Sequence, residues 1–213
     1  MQIDGLRVKY KTKTVFSSLS LNIGNSEKVA ILGGSGEGKT SLLKALLSLA
    51  ETEGKIVDKP KFSIVFQEDR LVDELSAKEN ILLACPNADA DLMLEKVGLK
   101  DEKNDKVKTF SGGMKRRVAI ARALCKDFDF LLLDEPFTGL DVASKYEITN
   151  LIKSQTENKG LMLVTHDLLQ AYALCERIVI IQGGVVAKDG AISEFSIDDA
   201  QKFFVKESCS KSL

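Results

Sequence analysis

The sequence lacks three features that would point to particular classes of protein. It has no excess of charge of one sign, since 30 lysines and arginines balance 31 aspartates and glutamates, for a net charge of −1. It has no closely spaced cysteines, because its four cysteines form no C-x-x-C pair. It has no uncharged apolar run near the ~20 residues that a membrane-spanning helix needs. What remains fits a globular chain of 213 residues, 44% of them hydrophobic, within the usual range for one domain.

Each absence excludes a class of protein or site. The balanced charge argues against nucleic acid or an acidic membrane surface as a partner. Scattered thiols indicate a reducing compartment, without a disulfide framework or a zinc site. Cys125 and Cys175 lie among apolar residues and are expected in the core. Because the first residues show no signal pattern, we expect a cytoplasmic protein, and another chain must carry the spans if it works at a membrane.

Short apolar strands alternate with helices along much of the chain. Residues 28–32 form an apolar run that leads through a glycine turn into a leucine-rich helix. This alternation predicts an α/β fold with a mainly parallel, doubly wound sheet. The further buried strands are predicted at 62–66, 128–133, 161–165 and 177–181.

Two segments depart from that alternation. Residues 3–9 and 18–23 alternate apolar and polar side chains, which predicts an antiparallel β part at the N-terminus. Residues 71–124 show helical patterns, opened by a capping box that begins at Ser76. We expect a single domain over 1–213, with 71–124 as an inserted α-helical subdomain. Other helices are predicted at 89–97, 112–124 and 142–159, with a charged helical tail beyond 195.

The most specific motif follows the first buried strand. Residues 33–40 read GGSGEGKT and match the phosphate-loop pattern G-x-x-x-x-G-K-[ST]. Its glycines let backbone N–H groups surround phosphate oxygens, and the N-terminus of the next helix adds its positive dipole end. Lys39 would supply a charge for the β- and γ-phosphates, and Thr40 a hydroxyl ligand for Mg²⁺. The residues predicted to bind the nucleotide here are Gly33, Gly34, Ser35, Gly36, Glu37, Gly38, Lys39, Thr40 and Ser41.

Two carboxylates follow a later strand, in the segment LLLDEP. Ligands of open α/β sheets bind at the carboxyl ends of the strands. Asp134 can hold Mg²⁺, directly or through water, and Glu135 can polarise a water for in-line attack on the γ-phosphate. An ordinary strand end that meets solvent can carry the same residues, so the phosphate loop gives this pair its weight.

A third segment singles out one family. Residues 110–115, FSGGMK, resemble the signature loop of ATP-binding-cassette (ABC) ATPases, usually Leu-Ser-Gly-Gly-Gln, with departures at Phe110 and Met114. Ser111, two glycines and a helix also make a second anion-binding helix start. The resemblance implies a P-loop NTPase (RecA-like) core, ATP and Mg²⁺ as cofactors, and ATP hydrolysis.

The resemblance also assigns roles to residues elsewhere in the chain. Gln67 matches the family's glutamine loop, which contacts Mg²⁺ and the reacting water, and Asp141 belongs to its D-loop. His166, within Thr-His-Asp, matches the histidine switch, a catalytic residue together with Glu135, Lys39 and Gln67. Tyr10 stands where the family commonly places an aromatic residue that stacks on adenine, and Phe16 is a competing candidate.

The family's ATPases work as head-to-tail dimers that sandwich two ATP molecules. By resemblance, Ser111, Gly112 and Gly113 of one chain face the γ-phosphate that the other chain's phosphate loop holds. The resemblance implies a homodimer that drives a separate transmembrane permease from its cytoplasmic face. The residues at 67–71, with the Ser-Gly-Gly-Met signature, resemble importer ATPases for nitrate, sulfonate and taurine, which implies import of a small solute and a solute-binding protein.

Two alternatives stay open at this point. A soluble ABC ATPase of the iron–sulfur cluster assembly type is also a short single cassette. A small-molecule kinase could carry the phosphate loop, but it would not need the signature at 111–113 and should show an arginine-rich lid.

Overall fold

The computed structural model describes residues 1–10 and 13–195, without the side chains of Tyr10 and Lys13. The predicted tail beyond Phe195, with Cys209, lies outside the described residues. The strands and helices are, in chain order, β1 (Gln2–Tyr10), β2 (Lys13–Asn22), β3 (Lys28–Leu32), α1 (Lys39–Leu46), β4 (Thr52–Val57), β5 (Phe62–Val65), α2 (Ala77–Ala84), α3 (Ala90–Lys96), α4 (Gly112–Leu124), β6 (Phe130–Asp134), α5 (Val142–Gln155), β7 (Gly160–Val164), α6 (Leu168–Leu174), β8 (Arg177–Gln182) and β9 (Val185–Ala191).

The main sheet has the strand order β5-β6-β7-β3-β8-β9, parallel except for β9, which pairs antiparallel with β8. Its apolar strands are covered on both faces. In β3, Val29 and Ile31 belong to one core cluster, while Ala30 and Leu32 belong to the cluster on the other side. This two-residue period explains why the buried strands read as continuous apolar runs. The predicted α/β fold with a mainly parallel sheet is confirmed.

A second sheet, in the order β2-β1-β4, is antiparallel throughout. Its inward side chains, together with those of α1, fill the core cluster on one face of the main sheet. The predicted antiparallel part is confirmed for β1 and β2, whereas β4 was not predicted. Most of the side chains of β4 are exposed, so an apolar pattern gives little sign of it.

Helices α2, α3 and α4 lie within residues 71–124, and none of the strands of the two described sheets falls there. The Ser76 capping box is confirmed: its hydroxyl accepts from the Glu79 N–H, and the Glu79 carboxylate accepts from the Ser76 N–H. The apolar side chains of these helices join the core cluster on the other face of the main sheet. The division of the chain into a domain and an inserted subdomain stays a prediction.

Two other expectations need correction. The helix expected over 142–159 ends at Gln155, because the Thr156 hydroxyl donates to the Ile152 carbonyl and closes the last turn. Of the two cysteines expected in the core, Cys175 is buried but Cys125 is only half-buried. Desolvation still raises the pKa of Cys125 to about 11, which keeps its thiol protonated and unreactive at neutral pH.

The strand order decides where the polar residues meet. Strands β5, β6, β7 and β3 are consecutive neighbours and run parallel, so the segments that follow them leave the sheet at one edge. Those segments begin with Phe66, Glu135, Thr165 and Gly33.

None of the helices within the described ranges is long and apolar enough to cross a bilayer.

Candidate functional site

The phosphate loop occupies the turn between β3 and α1, and two of its glycines have no space for a side chain. A Cβ on Gly38, which has φ 93°, would lie 2.3 Å from Val15 Cγ1 and 2.9 Å from Phe16 Cζ. A Cβ on Gly33 would lie 2.4 Å from the Ile181 carbonyl oxygen. Side chains of the second sheet therefore lie against the loop at Gly38 and the backbone of β8 lies against it at Gly33, and only glycine fits at these two positions.

Lys39 opens α1, and its side chain lies back across the loop. Its ammonium donates to the carbonyl oxygens of Gly33 and Gly34, at 2.7 Å each. Glu37 points elsewhere: its carboxylate accepts from the Gly183 N–H at 2.6 Å and ties the loop to the β8–β9 turn. Of the predicted loop residues, Glu37 is thus the one whose side chain has a structural partner away from the cleft.

Thr40 and Asp134 form a pair of oxygen donors at the floor of the site. The Thr40 hydroxyl donates to Asp134 Oδ2 at 2.8 Å, although the two residues are 94 positions apart. Asp134 is only 1% exposed. Burial raises the pKa of its carboxyl, helped by the negative charge of Glu135, while the Thr40 hydrogen bond and the Lys39 charge work in the opposite direction. A buried carboxylate that is short of positive charge fits a cation site.

These donors suit Mg²⁺ bound together with a nucleotide. Magnesium takes oxygen ligands and keeps several waters, using only one or two protein carboxylates beside the phosphates. Residues 1–10 and 13–195 hold no cluster of three or more His, Cys, Asp or Glu that could bind a metal ion. The hydroxyl of Thr40, the carboxylate of Asp134 and the exposed amide of Gln67 line one cleft and supply hard oxygen atoms.

Glu135 follows Asp134 directly and sits in a strained backbone conformation. Its φ is +48°, which is uncommon for a non-glycine residue and concentrates at functional sites. Its N–H donates to the Val164 carbonyl at 2.9 Å, which fixes the turn to β7. One carboxylate oxygen contacts His166 Nδ1 at 2.8 Å, and the other accepts from the Thr165 hydroxyl at 3.3 Å. The side chain is held over the cleft from two sides.

The predicted residues line a cleft of about 640 Å³, a volume within the range of small-molecule sites. Three lining residues were not predicted: Val15 from the second sheet, Thr138 after Glu135, and Val164 at the end of β7. No sequence pattern around Val15 predicts its place in the cleft, because it reaches the phosphate loop only when the second sheet folds over the main sheet. The cleft is lined by Val15, Gly33, Gly34, Ser35, Gly36, Gly38, Lys39, Thr40, Ser41, Gln67, Asp134, Glu135, Thr138, Val164 and His166.

The signature loop lies outside that cleft. Ser111 caps α4, accepting from the Met114 N–H at 3.3 Å, and both Ser111 and Gly112 are exposed. Gly113 packs against the D-loop, where a Cβ would lie 3.1 Å from the Gly139 carbonyl oxygen. Asp141 caps α5 and accepts from the N–H and hydroxyl of Ser144. The fold therefore separates the predicted residues into two groups, one around the phosphate loop and one around the start of α4.

Of the two candidates for stacking on adenine, Tyr10 and Phe16, the structure describes the side chain of Phe16 alone. Phe16 is fully buried in the core beneath the phosphate loop, so it is a packing residue and its ring has no face for a base. The side chain of Tyr10 lies outside the described part of the structure, and its role stays a prediction.

Two arginines of α4 link the groups, and sequence reasoning did not find them. Arg116, 4% exposed, donates to the carbonyl oxygens of Phe66 and Gln67 and pairs with Asp69. Arg122 donates to the carbonyl oxygens of Asp69 and Arg70, both at 2.7 Å. The two arginines therefore bind the loop that carries Gln67 to α4, the helix that follows the signature loop. A basic helix in the sequence gave no sign that its arginines bind backbone.

Comparisons with known proteins agree with this architecture. The family model described as ABC transporter matches residues 16–138, more than half of the chain. The "Aliphatic sulfonates import ATP-binding protein SsuB 3" of Paraburkholderia xenovorans is 38% identical over 194 residues, covering 88% of this chain and 78% of the relative. An "Uncharacterized ABC transporter ATP-binding protein" of Haemophilus influenzae is 34% identical over 196 residues, covering 85% and 82%.

Solved structures give the same result. An ATP-binding cassette in a dimeric post-hydrolysis state, bound to ADP and Pi, is similar with a TM-score of 0.81 and 28% identity, over 90% of this chain and 98% of that one. An ATP-binding subunit of an ABC transporter is similar in fold, with a TM-score of 0.85 at 23% identity, over 94% and 97%.

Proposed function

This chain belongs to the ABC transporter ATPase family, as an ATP-binding and ATP-hydrolysing transporter subunit, and we propose that two copies of it form two composite ATP sites that drive a separate permease. The observation that carries the proposal is the separation of two phosphate-binding helix starts in one chain. The start of α1 opens into the cleft, and the start of α4 is exposed outside it. A head-to-tail dimer would bring each start of α4 to the other chain's cleft, and the similar cassette bound to ADP and Pi is itself dimeric.

The residues of one chain would divide the work as follows. The backbone of the phosphate loop and the Lys39 ammonium hold the β- and γ-phosphates, and Lys39 exchanges its two carbonyl partners for phosphate oxygens. Thr40, Asp134 and Gln67 would hold Mg²⁺, which neutralises phosphate charge when bound. Glu135 orients and deprotonates the attacking water through one of its carboxylate oxygens. The His166 side chain would move away from Glu135 and then contact the γ-phosphate.

The other chain would supply the remaining groups. Ser111, Gly112 and Gly113 present a hydroxyl and backbone N–H groups to the γ-phosphate, at the positive end of the α4 dipole. Asp141 lies in the loop that packs on Gly113, so it would follow the same movement. Tyr10 would stack on the adenine ring. Without the second chain the γ-phosphate is contacted from one side only.

The transported solute is proposed from the relatives. Several of them are named as importers of aliphatic sulfonates, so we propose import of a small organic anion that a solute-binding protein delivers. The chain would lie on the cytoplasmic face of the membrane, bound to its permease through residues 71–124. The exposed side chains of Leu83 and Leu92 on α2 and α3 support that contact. The test measures ATP hydrolysis by the reconstituted transporter with a sulfonate-loaded binding protein. If the hydrolysis rate does not change when that protein is added, this solute is wrong.

Replacing Glu135 by Gln tests the proposed reaction. The amide keeps the size of the side chain and one of its two acceptor oxygens but cannot accept the proton of water, so hydrolysis should fall by ~100-fold or more. The affinity for ATP should stay within about 2-fold, because the phosphate loop is untouched. Phosphate release and binding of a fluorescent ATP analogue measure the two quantities. Hydrolysis by Glu135→Gln at the wild-type rate would refute the assignment.

A further inference from the structure

The buried hydroxyl of Thr165 contacts Glu135 and has no role in the proposed reaction so far. Thr165 directly follows β7 and is 0% exposed. Its hydroxyl lies 3.3 Å from Glu135 Oε2 and 3.2 Å from Gln170 Oε1, and it accepts from the Asp167 N–H at 3.0 Å. A threonine hydroxyl has one proton to donate, so it can serve only one of the two acceptors at a time.

The electrostatics decide between those acceptors. Hydrogen bonds to an ionised carboxylate are roughly twice as strong as those between neutral groups. The proton of Thr165 is therefore directed to Glu135 and away from the neutral amide of Gln170. The Gln170 amide is itself held by its donation to Asp167 Oδ2 at 2.9 Å. The Thr165 hydroxyl thus accepts a hydrogen bond from the Asp167 N–H and donates its proton to the Glu135 carboxylate.

The two groups that hold Glu135 differ in how easily they can leave. The His166 side chain is 72% exposed and contacts Glu135 Oε1 at 2.8 Å, so it can rotate away into solvent or toward a phosphate. Thr165 is fully buried and bound to the backbone of Asp167, so it cannot. When His166 moves, Oε1 becomes available while Oε2 stays anchored.

We propose that Thr165 is a positioning residue for hydrolysis: its hydroxyl fixes one oxygen of the Glu135 carboxylate so that the other faces the attacking water. Without that bond the carboxylate rotates about its last side-chain torsion, which is soft for glutamate. The proton of the water then meets a misaligned base, whereas binding of ATP is unaffected. This inference rests on the proposed function, in which Glu135 is the base.

The test replaces Thr165 by Val, which keeps the shape of the side chain and removes the hydroxyl. The kcat for ATP hydrolysis should fall about 10- to 100-fold, the cost of a misplaced catalytic group, with KM for ATP within about 2-fold. Thr165→Ser, which keeps the hydroxyl, should restore kcat to within about 3-fold of wild type. Thr156→Val is the matched control, since Thr156 is also 0% exposed and its hydroxyl also bonds a protein oxygen, far from the site.

The outcomes separate this inference from the proposed function. If Thr165→Val hydrolyses ATP at the wild-type rate while Glu135→Gln is inactive, the positioning role is wrong and the base assignment stands. If Thr156→Val loses as much kcat as Thr165→Val, the loss reflects general stability and the inference fails. Should Thr165→Val not fold, Thr165→Ser still decides, because a loss of activity in that variant contradicts a role for the hydroxyl.

Discussion

Two helix starts in this chain, those of α1 and α4, are proposed to bind phosphate, and they differ in what surrounds them. The start of α1 lies in a cleft where the ends of neighbouring strands bring Gln67, Asp134, Glu135 and His166 together. The start of α4 has exposed Ser111 and Gly112, and the lysine in its first turn, Lys115, is paired with Asp73 at 2.9 Å. We propose that the start of α1 binds the nucleotide of its own chain and that the start of α4 completes the site of another subunit. The surroundings of each start decide its role.

Placing a negative charge at the start of α4 is the strongest test of that difference. Aspartate caps α3, α5 and α6 in this chain, so Ser111→Asp should keep the helix start intact. Its charge should repel the γ-phosphate and reduce hydrolysis ~100-fold or more. ATP affinity of the single chain should stay within about 2-fold of wild type. Ser111→Thr, which adds no charge, is the control.

The corresponding change at the start of α1 should act on binding. Lys39→Ala removes a cation that gives up two carbonyl partners to bind phosphate, so the net loss is about one charge-assisted bond, worth about 1.5–3 kcal/mol. ATP affinity should therefore fall about 10- to 100-fold, measured by titration calorimetry. An equal loss of affinity in Lys39→Ala and Ser111→Asp would show that both helix starts serve the nucleotide of one chain, against the division proposed here.

The link between the two regions can be broken at Arg116. Arg116→Met leaves the part-buried carbonyl oxygens of Phe66 and Gln67 and the Asp69 carboxylate without this partner. We expect a loss of about 2–3 kcal/mol of folding stability, or about 4–12 °C in the melting temperature, and slower hydrolysis because Gln67 loses its support.

Arg117→Met is the matched control for that prediction. Arg117 lies on the same helix but donates to the carbonyl oxygens of Val97 and Gly98. It should lower the melting temperature and leave kcat within about 2-fold. Equal losses of kcat in both variants would remove Arg116 from any special link with the glutamine loop.

The smallest expected effect is a gain of stability at Asp134. Because burial raises the pKa of this carboxyl in the folded state, its ionised form opposes folding at pH values above the unfolded pKa. That cost is absent at lower pH, where the group is protonated in both states. Asp134→Asn should raise the melting temperature of the nucleotide-free protein at pH 7 by about 2–4 °C, the shift that ~1 kcal/mol gives at this size.

The gain should shrink as the pH falls toward 4, and the variant should lose the dependence of ATP binding on Mg²⁺. Thermal melts across pH measure the first effect, and ATP titrations with and without Mg²⁺ measure the second. A melting temperature of Asp134→Asn below that of the wild type at pH 7 would contradict the role given to burial.

Features with a local cause could be predicted from the sequence. The apolar run of β3 before glycines, the capping box at Ser76 and the apolar run of β6 each depend on neighbouring residues, and the structure has them where the pattern indicated. The candidate cleft followed from the rule that parallel strands share one carboxyl edge. Both the fold class and most of the cleft's residues were therefore accessible.

Features that depend on distant residues could not be predicted. Strands β4 and β9 have mostly exposed side chains and exist through pairing with β1 and β8. The positive φ of Glu135 occurs where the chain leaves β6 for the loop before α5, and no propensity indicates it for glutamate. The backbone contacts of Arg116 join residues about 50 positions apart. Such contacts arise only when the chain has folded.

Mixing two inactive chains tests the composite site most directly. Lys39→Ala should hydrolyse little ATP because it binds ATP weakly, and Ser111→Asp because its charge repels the γ-phosphate. A mixed dimer contains one cleft with an intact Lys39 facing an intact Ser111. Single-turnover hydrolysis in the mixture should recover to about a quarter of the wild-type amplitude, since half of randomly paired dimers are mixed and each has one complete site of two. No hydrolysis above the sum of the separate chains would contradict a site shared between subunits.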